Sequence, residues 1–184
     1  MRYDQLEHAI RAACDVAGDT ELFIFGSQAI LGTYPDAPEG LRASIEVDVQ
    51  PKNRPENTDL VDGSLGQDSS FHEAFGFYVH GIPIEAATLP EGWEGRTKDV
   101  SDVKTTRGYV GHCLEAHDLA ASKLVAFREK DRAFVAILLQ EGLIDGQTLQ
   151  DRIGSLPVEG GVRERLRRWV EVTASERGAA PQGR

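Results

Sequence analysis

The first seventeen residues place Leu6, Ile10, Ala13 and Ala17 on one stripe, the spacing of an amphipathic helix rather than a signal peptide's unbroken apolar run. Leu22-Phe23-Ile24-Phe25 is a continuous apolar run ending in Gly26-Ser27, and a second apolar stretch from Gln28 to Gly32 follows at once. This pattern predicts a strand, a tight turn and a helix start. Thr33 to Leu41, with Pro35, Pro38 and Gly40, predicts a loop. Ile45, Val47 and Val49 then alternate with Ser44, Glu46 and Asp48, the period of a strand with one apolar and one polar face. The polar stretch from Pro51 to Ser70 predicts a loop with one helical turn around Asp59 to Leu65. Two strands, Phe75 to His80 and Ile82 to Ala87, are expected to form a hairpin about Gly81, and another strand fits Gly108 to Leu114. From Ala116 onward the pattern is helical, through Leu119, Leu124 and Phe127, then Phe134, Ile137, Leu138 and Leu139, then 149–153 and 162–172.

Strands first and helices after define an α+β class, a mixed β-sheet flanked by helices with a helical C-terminal half. The expected organisation is a single domain over residues 1–174, with a core at about 20–115 and a helical part at about 116–174. Residues 175–184, small and polar with Gly and Pro, are expected to be a flexible tail. The chain of 184 residues suits one well-buried core, and its 40% hydrophobic and 27% charged content is that of a globular protein. A formal net charge of -10 offers no overall basic face for duplex DNA. Arg163, Arg165, Arg167 and Arg168 form a local basic cluster, which also reads as a solvated helix face. Cys14 and Cys113, far apart and outside any CxxC spacing, read as reduced thiols of a cytoplasmic protein. No stretch approaches the length of a transmembrane helix.

Nucleotidyl transfer needs a triphosphate held in line with an acceptor hydroxyl and divalent ions that spread the developing charge. A strand turning sharply at Gly26-Ser27 can bring backbone N–H groups close to phosphates. Glu46 and Asp48, two apart on a strand, project from one face about 7 Å apart, a spacing that ions can bridge. Each signal alone also fits a bland reading, a common dipeptide and a solvated strand face. The five histidines, at 8, 72, 80, 112 and 117, show no metal spacing, and His80 and His112 read as ordinary strand residues.

Gly26-Ser27-Gln28-Ala29-Ile30-Leu31 followed by Arg42-Ala43-Ser44-Ile45-Glu46-Val47-Asp48 resembles the glycine turn and R-x-S-x-D-x-D pattern of the AbiEii/MenT-type nucleotidyltransferases, toxins of bacterial toxin–antitoxin and phage-defence systems. Asp118-Leu119-Ala120-Ala121-Ser122-Lys123-Leu124, then Arg128-Glu129-Lys130-Asp131, resembles the same group's helical D-L-x-x-x-K-L and R-x-x-D segments. Similar runs occur in a related uncharacterised nucleotidyltransferase-like family. The resemblance spans about residues 23–143 and implies a nucleotidyltransferase-type sheet. It assigns Gly26, Ser27 and Arg42 to the nucleotide, Glu46 and Asp48 to Mg2+ or Mn2+, and Lys123 to the triphosphate. Asp131 would position Lys123 or the acceptor, and Asp48, Glu46, Lys123 and Asp131 together form the expected catalytic set. Glu85, polar on the expected 82–87 strand, is the candidate third metal carboxylate.

Lys123 and Asp131 also have structural readings. Lys123 shares a helical stripe with Leu119 and Phe127, where a lysine needs an anion, and Arg128 and Asp131, three apart, fit a surface ion pair. The implied activity is metal-dependent transfer of a nucleoside monophosphate from a nucleoside triphosphate to a hydroxyl on tRNA, other RNA or protein, with a cognate antitoxin as partner and no membrane. Glu46 stands where the family has aspartate, and its extra methylene moves the ligand oxygens by roughly one bond length. The alternative is therefore a catalytically silent module that binds nucleotide or a partner. A third reading is a pure interaction protein such as an antitoxin.

Overall fold

The computed structural model describes residues 1–179. Its contacts divide the chain into two compact units, Met1–Ala87 with Glu94–Glu115, and Thr88–Trp93 with the chain from Ala116 onward. The architecture is α+β with a five-stranded mixed sheet. No helix among the described residues is long and apolar enough to cross a membrane.

The first unit holds the sheet. Its strands are β1 (Glu21–Phe25), β2 (Glu46–Pro51), β3 (Tyr78–Gly81), β4 (Lys98–Val100) and β5 (Val110–Cys113), in the spatial order β3-β2-β1-β5-β4. β1 pairs antiparallel with β2 and parallel with β5, β2 pairs parallel with β3, and β4 closes the edge antiparallel to β5. Helices α1 (Tyr3–Ala17) and α4 (Thr58–Leu65) pack against one face of this sheet. Strand alternation sends Leu22, Ile24, Val47, Val49 and Val79 to that face, where they meet Leu6, Ile10 and Val61 in a core without solvent exposure. The opposite face carries Glu21, Phe23, Glu46, Asp48, Tyr78, His80 and His112. The short helices α2 (Ile30–Thr33), α3 (Glu39–Arg42) and α5 (Ser70–Phe75) connect the strands. Cys14 and Cys113 are buried free thiols, pushed up to about 12 by burial, so neither is a nucleophile at neutral pH.

Two expectations are corrected here, and one strand has no counterpart in the sequence reading. The hairpin about Gly81 does not form: residues 82–87 hold only a 3-10 turn, Ile84–Ala86, and β3 reaches β2 in parallel through α4. Pro83 has no N–H to give a ladder, and the Gln50 Oε1 accepts from the Ile84 N–H at 2.6 Å, which captures the chain in the turn. The region after Pro51 is more helical than a loop with one turn. α5 forms there because Ser69 caps it by accepting from the His72 N–H at 3.2 Å, and Gly76 ends it with a left-handed φ of 71°. β4 is a three-residue edge strand with no alternation to announce it.

The second unit is helical, with α6 (Ala116–Ala126), α7 (Glu129–Gln140), α8 (Gly146–Gly154) and α9 (Gly160–Ala179) packed on one another. Leu119, Leu124, Leu138, Leu149, Ile153, Leu166 and Val170 form its core. α6 stops at Phe127, whose φ of 51° is left-handed, and Arg128 is the extended N-cap of α7. Of the expected tail, residues 175–179 continue α9, and residues 180–184 lie outside the described residues. Within the basic cluster Arg163 Nη2 donates to the Leu156 and Val158 carbonyls, and the Arg165 guanidinium lies over the Phe127 ring at 4.8 Å, which Arg132 of α7 also approaches at 5.1 Å.

Candidate metal centre

The site begins where β1 ends. Gly26 has φ 73° and ψ -170°, a backbone region that is essentially confined to glycine. The geometry also removes room for a side chain, since a Cβ on Gly26 would lie 1.9 Å from Asp48 Oδ2. Phe25 is the register partner of Asp48, so the antiparallel pairing of β1 and β2 brings the turn and this carboxylate together. Ser27–Ala29 then forms a 3-10 turn that runs into α2, in place of the immediate α-helix start expected from the sequence. α3 packs against this turn. Gln28 is fully buried, donating from Nε2 to the Ser44 carbonyl at 3.1 Å, which fixes the approach to β2. Its Oε1 and the Nε of Arg42 on α3 are both buried without a hydrogen-bond partner.

Glu46 and Asp48 project from the same face of β2, half-buried, as their spacing predicts. The parallel register with β3 sets Tyr78 beside Glu46 and His80 beside Asp48. His80 Nδ1 lies 2.9 Å from Asp48 Oδ1 and 3.1 Å from Glu46 Oε1. One ligand atom from each of the three residues lies within 4.8 Å of the others, and this is the group among the described residues that could hold a metal ion. The local field is negative. Burial, then the charges of Glu46 and Asp48, push the Tyr78 phenol above its ordinary range. Two carboxylates and an imidazole are a donor set that fits a divalent cation. Gly81, directly after His80, lets β3 end against α4, because a Cβ there would lie 2.2 Å from the Thr58 carbonyl oxygen.

His80 is thus the third member of the cluster, a place that the sequence assigned to Glu85. Glu85 is exposed on the 3-10 turn after β3 and is outside the group. The histidines show no metal spacing along the chain and His80 reads there as an ordinary strand residue; the structure sets it beside Glu46 and Asp48. Histidine spacing along the chain carries no signal when the ligands come from two parallel strands joined by a helix.

Lys123 and Asp131 belong to the second unit and meet there. Arg128 Nε donates to Asp131 Oδ2 at 2.6 Å, and Lys123 Nζ to Asp131 Oδ1 at 3.5 Å. The Asp131 side chain is only 1% exposed and that of Arg128 61%, so the ion pair that the Arg128 spacing allowed forms between a buried carboxylate and an exposed guanidinium. Burial works to raise the Asp131 carboxyl, but the Arg128 hydrogen bond and the two positive charges outweigh it and hold it below the usual range. Lys123 also sits over the Phe134 ring at 4.6 Å. Asp118, the first residue of the D-L-x-x-x-K-L run, is buried and pairs with Arg152 at 3.1 Å.

No family model, no curated protein and no solved structure matches this chain.

Proposed function

We propose that this protein is a metal-dependent nucleotidyltransferase that moves a nucleoside monophosphate from a nucleoside triphosphate to a hydroxyl acceptor on tRNA, other RNA or protein. The observation that carries this reading is the contact of Asp48 with Gly26. A turn without a side chain and a pair of carboxylates meet at one point, the arrangement that phosphates and a divalent cation require together. Glu46 and Asp48 would hold the cation, Mg2+ or Mn2+, which when bound spreads the charge that develops on the transferred phosphoryl group. Gly26 lets the Asp48 carboxylate lie directly against the turn backbone, so that a cation on Asp48 and a phosphate on the turn would be neighbours, and Ser27 contributes its hydroxyl. Arg42, with a buried Nε that has no partner, provides a guanidinium for an anion from the helix packed on the Ser27 turn. The reading extends to a nucleotidyltransferase-type fold and a cytoplasmic toxin controlled by a cognate antitoxin.

A second reading, a catalytically silent nucleotide-binding module, is favoured by one observation: His80 Nδ1 is within hydrogen-bonding distance of both carboxylates, which can then be occupied without a cation. Both readings are tested by titrating a fluorescent nucleoside triphosphate into the protein with and without divalent metal. Binding that needs the metal and weakens about tenfold or more in Asp48→Ala supports a nucleotide site here. Binding indifferent to metal would overturn the first reading and leave the second, and absence of nucleotide binding with and without metal would overturn both.

A further inference from the structure

We propose that His80 is a direct metal ligand through Nδ1, and that the centre it completes with Glu46 and Asp48 selects first-row transition cations, Mn2+ among them, over Mg2+. The metal site itself rests on the reading above; the choice of ion and the third ligand go beyond it.

The argument starts from the donor atoms. Mg2+ is a hard cation that takes oxygen ligands in a strict octahedron and gives up water reluctantly. Imidazole nitrogen suits softer first-row ions, and for a given mixed N/O site affinity rises along the series from Mn2+ toward Cu2+. A third carboxylate at residue 80 would build a site for Mg2+. Here the β2–β3 register places an imidazole at that point. The two separations from the imidazole are those of a coordination sphere: an octahedral ion with bonds of about 2.1 Å holds adjacent ligands about 3.0 Å apart. Nδ1 lies 2.9 and 3.1 Å from the two carboxylate oxygens. The backbone fixes this convergence from both sides, because Gly26 holds Asp48 from β1 and Gly81 lets β3 end close to α4. Glu46 adds to the fit. Its longer arm reaches from two register positions before Asp48 to the same nitrogen, so the departure from aspartate belongs with the imidazole.

The test is made on the whole chain without nucleotide, so that it is independent of any transfer reaction. Pulsed electron paramagnetic resonance of the protein loaded with Mn2+ reads nitrogen coupled to the ion, and calorimetry gives the Mn2+ and Mg2+ affinities. The expected results are a 14N coupling in the wild type that is absent in His80→Ala, Mn2+ binding at least about tenfold tighter than Mg2+, and a loss of about tenfold or more in Mn2+ affinity in His80→Ala. His80→Asp should raise Mg2+ affinity and bring the two ions to within a few-fold of each other. A wild type that binds Mn2+ without 14N coupling would overturn the proposal, as would equal affinity for the two ions. A protein that binds Mn2+ with the expected coupling yet transfers no nucleotide would leave this proposal standing and remove the enzymatic reading.

Discussion

Gly26→Ala is the substitution whose effects follow most directly from the geometry. With φ 73° and ψ -170°, alanine at residue 26 meets a backbone strain of about 1–3 kcal/mol. Its Cβ would also lie 1.9 Å from Asp48 Oδ2, against an ordinary carbon–oxygen contact of about 3.3 Å. The carboxylate is the far end of a side chain and can retreat, but it must move by more than about 1 Å. That movement separates it from His80, now at 2.9 Å, and opens the cluster. The expected outcome is a loss of about 2 kcal/mol of stability, roughly 4–8 °C in Tm for a chain of this size, together with Mn2+ affinity lowered by about tenfold or more. Asp48→Ala removes the atom that clashes, so the double variant should keep the backbone strain alone and be less destabilised than the two single effects combined. Urea unfolding and calorimetry of the four proteins measure both quantities. A Gly26→Ala protein with wild-type Tm and metal affinity, or strictly additive effects, would refute the reasoning.

Two further predictions concern charges outside the metal cluster. Glu21 accepts from Lys52 at 2.6 Å and faces His112 at 2.8 Å, and these contacts lower its carboxyl to about 2. A depressed folded-state value contributes stability that is present above the unfolded value near 4.5 and is lost as pH falls toward 2. The pair is partly exposed, so the contribution is about 1 kcal/mol at most. Urea midpoints of the wild type should therefore fall more between pH 5 and pH 2.5 than those of Glu21→Gln, and parallel curves would contradict this. In the second unit, Asp131→Ala would remove the buried carboxylate that Lys123 and Arg128 share. Breaking a buried pair from one side costs about 3–5 kcal/mol, whereas Asp131→Leu combined with Lys123→Met should recover most of the loss. A loss under about 1 kcal/mol in the single variant would mean that the pair behaves as a surface contact.

The parts of the site that lie along one strand were legible in the sequence. Leu22 to Phe25 ran apolar into a turn, and Glu46 and Asp48 alternated with Val47 and Val49, so their shared face followed from a period of two. His80 was not legible as a ligand, because its position depends on the register of a parallel pairing made through α4, and nothing local fixes that register. The 82–87 segment misled because its composition suits a strand while Pro83 and the Gln50 side chain impose a turn. In the helical half, the residues themselves required an anion for Lys123 and offered Arg128 as a partner for Asp131, and only the resemblance set Asp131 to position Lys123 or the acceptor. The left-handed Phe127 between α6 and α7 brings the two residues together, and a bend of that kind leaves no hydrophobic pattern.

The central claim is tested most directly by incubating the protein with each of the four labelled ribonucleoside triphosphates, Mg2+ or Mn2+, and pools of total RNA and protein, beside Asp48→Ala. The account predicts that label moves to an acceptor with the wild type and stays on free nucleotide with Asp48→Ala. Absence of transfer for all four nucleotides with either metal, or equal transfer by the Asp48→Ala protein, would contradict it.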